Sequence, residues 1–286
     1  MRVAAVDLGT NTTRLLVADV AGDRVDEIHR ESRITRLGEG VDARRRLLPL
    51  PITRVRNVLT DYRRTLESLG AERALAVATS AVRDAENGEA FLGEVEWSYG
   101  FATRLASGDE EAELTRRGVA PTAGTLVLDI GGGSTELILD DFHVSLAMGS
   151  VRFTERYGED IDRMADSARA LLPAISLDRA IGVAGTVTQL AALDRSRSLT
   201  RARAREQLQR LVGMSVAERR GIPRMDPDRA PVIVAGAAIL VAVLDAYGIE
   251  EIEVSERDIL DGIALAAAEL PEPAEGDAPP GAYTCC

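Results

Sequence analysis

The chain has 286 residues, a formal net charge of −12, 45% hydrophobic residues and only 3% aromatics. It is long enough to bury a sizeable core in one large domain or two ordinary ones. Every one of the 34 basic positions is arginine, which excludes a Walker-type phosphate lysine, a Schiff base and a lysine general base. The histidines, His29 and His143, cannot form a zincin motif, and no nucleophile-elbow sequence accompanies them. Cys285 and Cys286 sit at the very end of a Pro/Gly-rich stretch, so a cysteine nucleophile, a thiolate zinc site and a disulfide framework are not expected. Catalysis is left to carboxylates, hydroxyls, backbone amides, arginine, or a metal bound through oxygen. The acidic balance and the lack of stacking aromatics argue against nucleic-acid binding. No apolar run approaches the roughly 18 residues that would span a bilayer, and no signal-peptide pattern opens the chain; the expected compartment is the cytoplasm.

In chain order, Val3–Val20 (VAAVDLGTNTTRLLVADV) reads as a strand, Asp-x-Gly, a small-residue turn and a second strand. The spacing predicts a helix over Pro51–Leu69, with Gly70 as its C-terminal signal. A strand from Ala74 runs into a helix through ALAVATSAVRDAEN. Around Arg104–Val119, Ser107 or Asp109 can cap a helix carrying Glu110, Glu111 and Glu113, which Gly118 ends. Thr125–Asp141 (TLVLDIGGGSTELILDD) then repeats the opening pattern, which suggests an internal duplication. Val144–Met148 reads as a strand, Ala180–Leu193 as strand, Gly-Thr turn and helix, and Asp228–Tyr247 as a long apolar helix. A last strand and helix follow. Alternating strands and helices make this an α/β chain. The expected domains are 1–120 and 121–270, with a disordered tail over 271–286.

The turn Asp129–Glu136 (DIGGGSTE) carries the most chemistry. Three glycines let the backbone approach a ligand closely, and successive amides in such a turn form an anion-binding concavity with Ser134 and Thr135 as further donors. A plain tight hairpin is the competing explanation. Asp7–Thr13 is weaker alone and gains from its match to this segment. The turn Ala184–Gln189 (AGTVTQ) is read equally well as a third phosphate-facing loop or as an ordinary helix cap.

Six segments occur in a consistent order: DLGTNTTRLLVADV, ITRLGEGVD (Ile34–Asp42), VATSAVRDAEN (Val77–Asn87), SGDEEAEL (Ser107–Leu114), LDIGGGSTEL and VSERDILDGI (Val254–Ile263). Together they resemble the exopolyphosphatase / guanosine pentaphosphate phosphohydrolase (Ppx/GppA) family, over roughly Arg2–Leu270. The resemblance implies two ribonuclease-H-like domains of the actin, Hsp70 and acetate kinase superfamily. It also implies an interdomain cleft in which a terminal phosphate is hydrolysed. It assigns Glu111 as the base that activates water, and Asp129 and Glu136 as the carboxylates that hold metal and orient water. Asn11, Thr12, Arg83, Gly131, Gly132, Gly133 and Ser134 match phosphate-binding positions. The implied cofactor is Mg²⁺ or another divalent cation, with Asp129 and Glu111 as metal-contacting residues; carboxylate plus phosphate oxygens suit that ion. The implied partner is a small polyanion, with no nucleic acid and no membrane, and a homodimer is the assembly considered.

The expected activity is release of orthophosphate from the end of inorganic polyphosphate. The rivals are the same chemistry on guanosine pentaphosphate, a catalytically weak polyphosphate or alarmone sensor, and a kinase-like ATPase in which SGDEEA has no role. The stretch Asp42–Pro51 (DARRRLLPLP) departs from the family's usual looser Thr/Gly turn by carrying three consecutive arginines. It is either a solvated loop or one that attracts a polyanion.

Overall fold

The computed structural model describes residues 1–271; the expectations for the tail and for Cys285 and Cys286 lie outside the described residues. The chain divides into two compact units, 1–118 together with 259 onward, and 119–258.

In the first unit, β1 (Arg2–Leu8), β2 (Thr12–Ala21) and β3 (Arg24–Ile34) form an antiparallel meander. A short helix α1 (Val41–Arg44) and the long α2 (Pro49–Ser68) lead to β4 (Arg73–Ala78). Then come α3 (Ser80–Arg83), α4 (Gly88–Tyr99), β5 (Ala102–Leu105) and α5 (Gly108–Val119). Helix α2 ends as its sequence predicts: Gly70 adopts φ 73°, and the Ala71 amide reaches back to the Leu66 carbonyl. The sheet order is β3-β2-β1-β4-β5, with β4 and β5 parallel to β1.

The second unit repeats this plan. Strands β6 (Thr125–Ile130), β7 (Thr135–Leu139) and β8 (Phe142–Leu146) form the meander, followed by α6 (Ser150–Tyr157) and α7 (Ile161–Leu171). Next are β9 (Arg179–Val183), α8 (Ala184–Leu193), β10 (Ser198–Thr200), α9 (Arg201–Val212) and α10 (Val216–Arg220). The apolar α11 (Ile233–Ala246) and β11 (Glu251–Val254) complete the unit. Its sheet runs β8-β7-β6-β9-β11, the order of the first, with β10 added as an antiparallel edge. Helix α11 begins five residues later than the sequence pattern suggests. Residues 227–232, Pro231 among them, form turns ahead of it.

One boundary is corrected. The final helix, α12 (Ile259–Ala268), belongs to the first unit, not to the second as the 121–270 division supposes. Alternate residues of β1, β2 and β4 are buried on both faces of the first sheet, the pattern of a sheet covered on both sides. Ala4, Val6, Leu15, Val17 and Ala76 join one core with α2 and α4. Val3, Ala5, Leu16, Ala18 and Leu75 join a second core, and Ile259, Leu260, Ile263 and Ala267 of α12 cover it. Gly262 makes this possible: a Cβ there would lie 1.8 Å from the Leu114 carbonyl oxygen of α5. Without α12 that face of the sheet would be open to water.

Candidate active site

In the first unit, β1, β4 and β5 are parallel, so the segments leaving their carboxyl ends share one edge of the sheet, the usual place for ligands in such folds. Those segments carry Asn11 and Thr12, Arg83, and Glu111.

The first hairpin closes with the Gly9 amide on the Thr12 carbonyl. Its outward carbonyls are occupied: Thr10 accepts from the Gly38 amide, and Asn11 accepts from the amides of Thr35 and Arg36. Asn11 is only 6% exposed, yet its Oδ1 has no hydrogen-bond partner. Such a group is costly unless something completes it. Being an acceptor, this Oδ1 needs a donor such as water, whereas it is the NH₂ of the same amide that can serve a phosphate oxygen. Thr12 is buried beside it. Asp7 does not stand open to a metal, because Arg14 pairs with its Oδ2 through Nε and Nη2, each at 2.8 Å.

Two adjacent glutamates compete for the role of base, and the structure separates them. Glu110 is exposed and accepts from the Ser107 amide at 2.8 Å, while the Ser107 hydroxyl accepts from the Glu110 amide at 3.2 Å. This reciprocal pair is a capping box. Glu111 is 8% exposed, and its Oε2 lies 3.2 Å from Nη1 of Arg83. That nitrogen also donates to the Ala106 carbonyl at 2.7 Å, which fixes the guanidinium beside the carboxylate.

In the second unit, the glycine turn reproduces the first hairpin. The Gly131 amide donates to the Ser134 carbonyl at 3.0 Å, and Asp129 faces Glu136 across the ladder as Asp7 faces Arg14. The carbonyls are again tied back. Gly131 accepts from the Ser150 amide, Gly132 from the amides of Val151 and Arg152, and Gly133 from Arg152 Nε at 2.6 Å. With the carbonyls held, the amides of Gly132, Gly133 and Ser134 and the Ser134 hydroxyl have no partner among the described residues. Several unpaired N–H groups on one tight turn form an anion cradle. Ser134 is 6% exposed and Glu136 1%.

Two residues escaped the sequence reading. Ser145 on β8 donates to Glu136 Oε1 at 2.8 Å, and buried Arg152 holds the glycine turn from behind. The tight turn pairing Leu139 with Phe142 sets the register that puts Ser145 opposite Glu136, so Ser145 could have been found by counting back along the hairpin. Arg152, one arginine among 34, carried no such signal. At the AGTVTQ turn the space and the side chain are both taken up within the second unit. Arg229 fills the space in front of Gly185, and Gln189 bonds the Arg224 carbonyl and the Asp226 amide.

Among the described residues, no group of three or more His, Cys, Asp or Glu side chains could hold a metal alone. Asp129 and Glu136, buried and opposite each other, nonetheless fit a hard divalent ion. Mg²⁺ commonly takes one or two carboxylates and completes its shell with phosphate oxygens and water. Glu111, the other residue expected at the metal, lies in the first unit and is paired with Arg83.

Two repeats of one sheet plan, each opened by the same hairpin, define an α/β protein of the two-domain actin-like fold. The chain belongs to the Ppx/GppA phosphatase family, whose model matches residues 16–269. It is 40% identical to Exopolyphosphatase 2 of Mycobacterium tuberculosis, across 93% of this chain and 98% of that protein. A crystal structure of an Aquifex aeolicus Ppx/GppA family member matches with a TM-score of 0.75 at 26% identity, covering 95% of this chain and 99% of that one. An exopolyphosphatase from Cytophaga hutchinsonii shares the fold with a TM-score of 0.84 at 23% identity, over 95% and 99% of the two chains. Among the described residues no helix is long and apolar enough to cross a membrane.

Proposed function

We propose that this protein is an exopolyphosphatase that acts in the cytoplasm and releases orthophosphate from the end of inorganic polyphosphate by direct attack of water. The observation that carries this reading is the buried Glu111 carboxylate fixed beside Arg83 while its neighbour Glu110 is consumed by the helix cap. A carboxylate in that setting can take a proton from water, a step usually contributing about 10²–10⁴-fold. In the first unit, Arg83 and Asn11 are the groups suited to phosphate oxygens; in the second, the amides of Gly132, Gly133 and Ser134 are. Phosphoryl transfer asks mainly for positioning and charge neutralisation, which these groups supply without lysine or histidine. Asp129 and Glu136, the latter oriented by Ser145, would hold a divalent cation, which when bound spreads the negative charge developing on the phosphate oxygens.

The test is orthophosphate release by the purified protein with Mg²⁺ from short polyphosphate, long polyphosphate, guanosine pentaphosphate and ATP in separate incubations. Release from the polyphosphates is expected. Turnover of guanosine pentaphosphate alone would make the protein an alarmone phosphatase. Binding without release from any of the four would make it a sensor.

A further inference from the structure

Most arginines of this chain are paired with a carboxylate or hydrogen-bonded to a carbonyl, yet three consecutive ones are not. Arg44, Arg45 and Arg46 are all exposed, and their side chains have no hydrogen bond or ion pair among the described residues. In a molecule of net charge −12, a free cluster of three positive charges is the local exception. With charges screened beyond about 8 Å at physiological salt, such a cluster, rather than the net charge, governs how a polyanion is met nearby.

The cluster is not a loose loop. The Arg44 amide bonds the Gly40 carbonyl and the Arg45 amide the Val41 carbonyl. The Leu47 side chain that follows is buried in the core under α2 and α4. The turn is also fastened to the segment that carries Arg83. The Glu86 amide donates to the Arg45 carbonyl at 2.8 Å. Asn87 clasps Leu47 from both sides, accepting from its amide at 2.8 Å and donating to its carbonyl at 3.1 Å. Gly88 locks this segment onto the end of α3, since a Cβ there would lie 2.0 Å from the Val82 carbonyl oxygen. Arg83 and Glu86 are three residues apart, so their Cα atoms are separated by no more than about 11 Å. The three free guanidinium groups therefore stand on a rigid support whose other end is the phosphate-facing arginine.

We propose that Arg44, Arg45 and Arg46 form a second phosphate-binding subsite that engages internal phosphates of an inorganic polyphosphate chain whose end lies at Arg83. The subsite rests on the exopolyphosphatase reading and adds a preference for chain length to it. Guanidinium groups suit this work because they stay charged and offer forked donors to phosphate oxygens. A substrate of only a few phosphates offers the cluster few or no internal phosphates, so its turnover should depend on it less.

The test compares the full-length wild type with a neutral variant, Arg44→Gln/Arg45→Asn/Arg46→Gln, and a charge-retaining variant, Arg44→Lys/Arg45→Lys/Arg46→Lys. Asparagine is chosen at position 45 because that residue sits at φ 53°, which asparagine tolerates. Kinetics are measured on tripolyphosphate and on long-chain polyphosphate at low and high salt. The neutral variant is expected to raise KM for the long chain about tenfold, the size that three exposed charge contacts supply together. Its kcat stays unchanged, its KM for tripolyphosphate rises less, and the salt dependence flattens. The lysine variant recovers most of the loss, which a purely structural defect would not allow. An unchanged KM for the long chain, or an equal rise for both substrates, overturns the subsite and leaves the hydrolase reading intact.

Fluorescence anisotropy with labelled long-chain polyphosphate separates the two claims. If the wild type releases no phosphate but binds the chain, the hydrolase reading fails; loss of that binding in the neutral variant still supports the subsite, and equal binding overturns it. Competition by an RNA oligomer as effective as polyphosphate at equal phosphate concentration would overturn its assignment to inorganic chains.

Discussion

Arg14 and Glu136 occupy the same place in two copies of one hairpin: each faces its hairpin's aspartate across the ladder, Arg14 opposite Asp7 and Glu136 opposite Asp129. The backbone of the two turns is held alike, so the difference is chemical. One copy neutralises its aspartate internally, and the other sets two carboxylates side by side, an arrangement suited to a cation. Asp7 is buried, and Arg14 contacts its Oδ2 twice at 2.8 Å. Arg14→Gln should therefore cost about 1–3 kcal/mol of folding stability, the penalty for weakening a hydrogen bond to a buried charge. Urea unfolding of the two proteins measures it, and an unchanged midpoint would show that Arg14 is not the partner that matters.

The neighbouring glutamates Glu110 and Glu111 should separate cleanly in kinetics. Glu111→Gln keeps the shape and removes the base, so kcat should fall about 10²–10⁴-fold with KM little changed. Glu110→Ala breaks the capping box and should leave kcat alone while lowering stability by about 0.5–1.5 kcal/mol, the net worth of a hydrogen bond. Steady-state phosphate release with thermal melts of both variants decides between them. Equal kinetic losses would mean that the cap, not the buried carboxylate, is what turnover needs.

Ser145 acts through Glu136, accepting no substrate contact of its own in this reading. Its hydroxyl fixes one carboxylate oxygen at 2.8 Å. A hydrogen bond to a charged group is worth about 1.5–3 kcal/mol, so Ser145→Ala should lower kcat about tenfold or more. Ser145→Thr keeps the hydroxyl on a strand that favours branched residues and should restore most of the rate. A structural defect would instead depress both variants' melting temperatures, and that result would remove Ser145 from the positioning role.

Much of this was legible in the sequence because it depends on short, local rules. The duplicated Asp-x-Gly hairpins announce themselves through two apolar runs broken by small residues. Ser107 and Glu110 stand at the capping-box spacing, but the sequence left Ser107 and Asp109 both open as the cap, and only the family resemblance set Glu111 apart from Glu110. What was not legible is long-range. The apolar pattern of Ile259–Ala268 says that the helix is buried, but not that it covers the sheet built at the start of the chain, between Val3 and Val77. Nor does composition reveal that Arg152 reaches back to the Gly133 carbonyl, or that Arg229 closes over Gly185.

Gly149 supports the glycine turn from below by having no side chain. Its φ of −156° is extended backbone open to any residue, so the constraint is space alone. A Cβ there would lie 2.4 Å from the Gly132 carbonyl oxygen and 2.6 Å from the Gly133 carbonyl carbon. Both neighbours are backbone and cannot turn aside, so Gly149→Ala must push the anion cradle. A displacement near 1 Å costs about 10²-fold in rate, the loss expected here in kcat/KM for polyphosphate. Wild-type kinetics in a folded Gly149→Ala protein would show that the turn has slack and that its amides do not set the phosphate.

The second unit should show an acid-sensitive clasp. Arg219 is fully buried and donates to the Leu211 carbonyl at 2.8 Å and to both oxygens of Glu159, at 2.6 and 2.8 Å. The Arg219 guanidinium holds the Glu159 carboxyl below the usual glutamate range. A depressed carboxyl stabilises the fold fully at pH above its unfolded value, near 4.3, and that contribution fades as pH falls through the lower folded value. Glu159 is itself 46% exposed, so water softens the loss. Glu159→Gln should cost about 2 kcal/mol between pH 6 and 8, the scale of a hydrogen bond to a charged group. The gap between wild type and variant should then narrow below about pH 4, as the wild-type carboxyl protonates. Urea midpoints measured across that range report it, and a gap that stays constant down to pH 3 would mean that shape, not charge, makes the clasp.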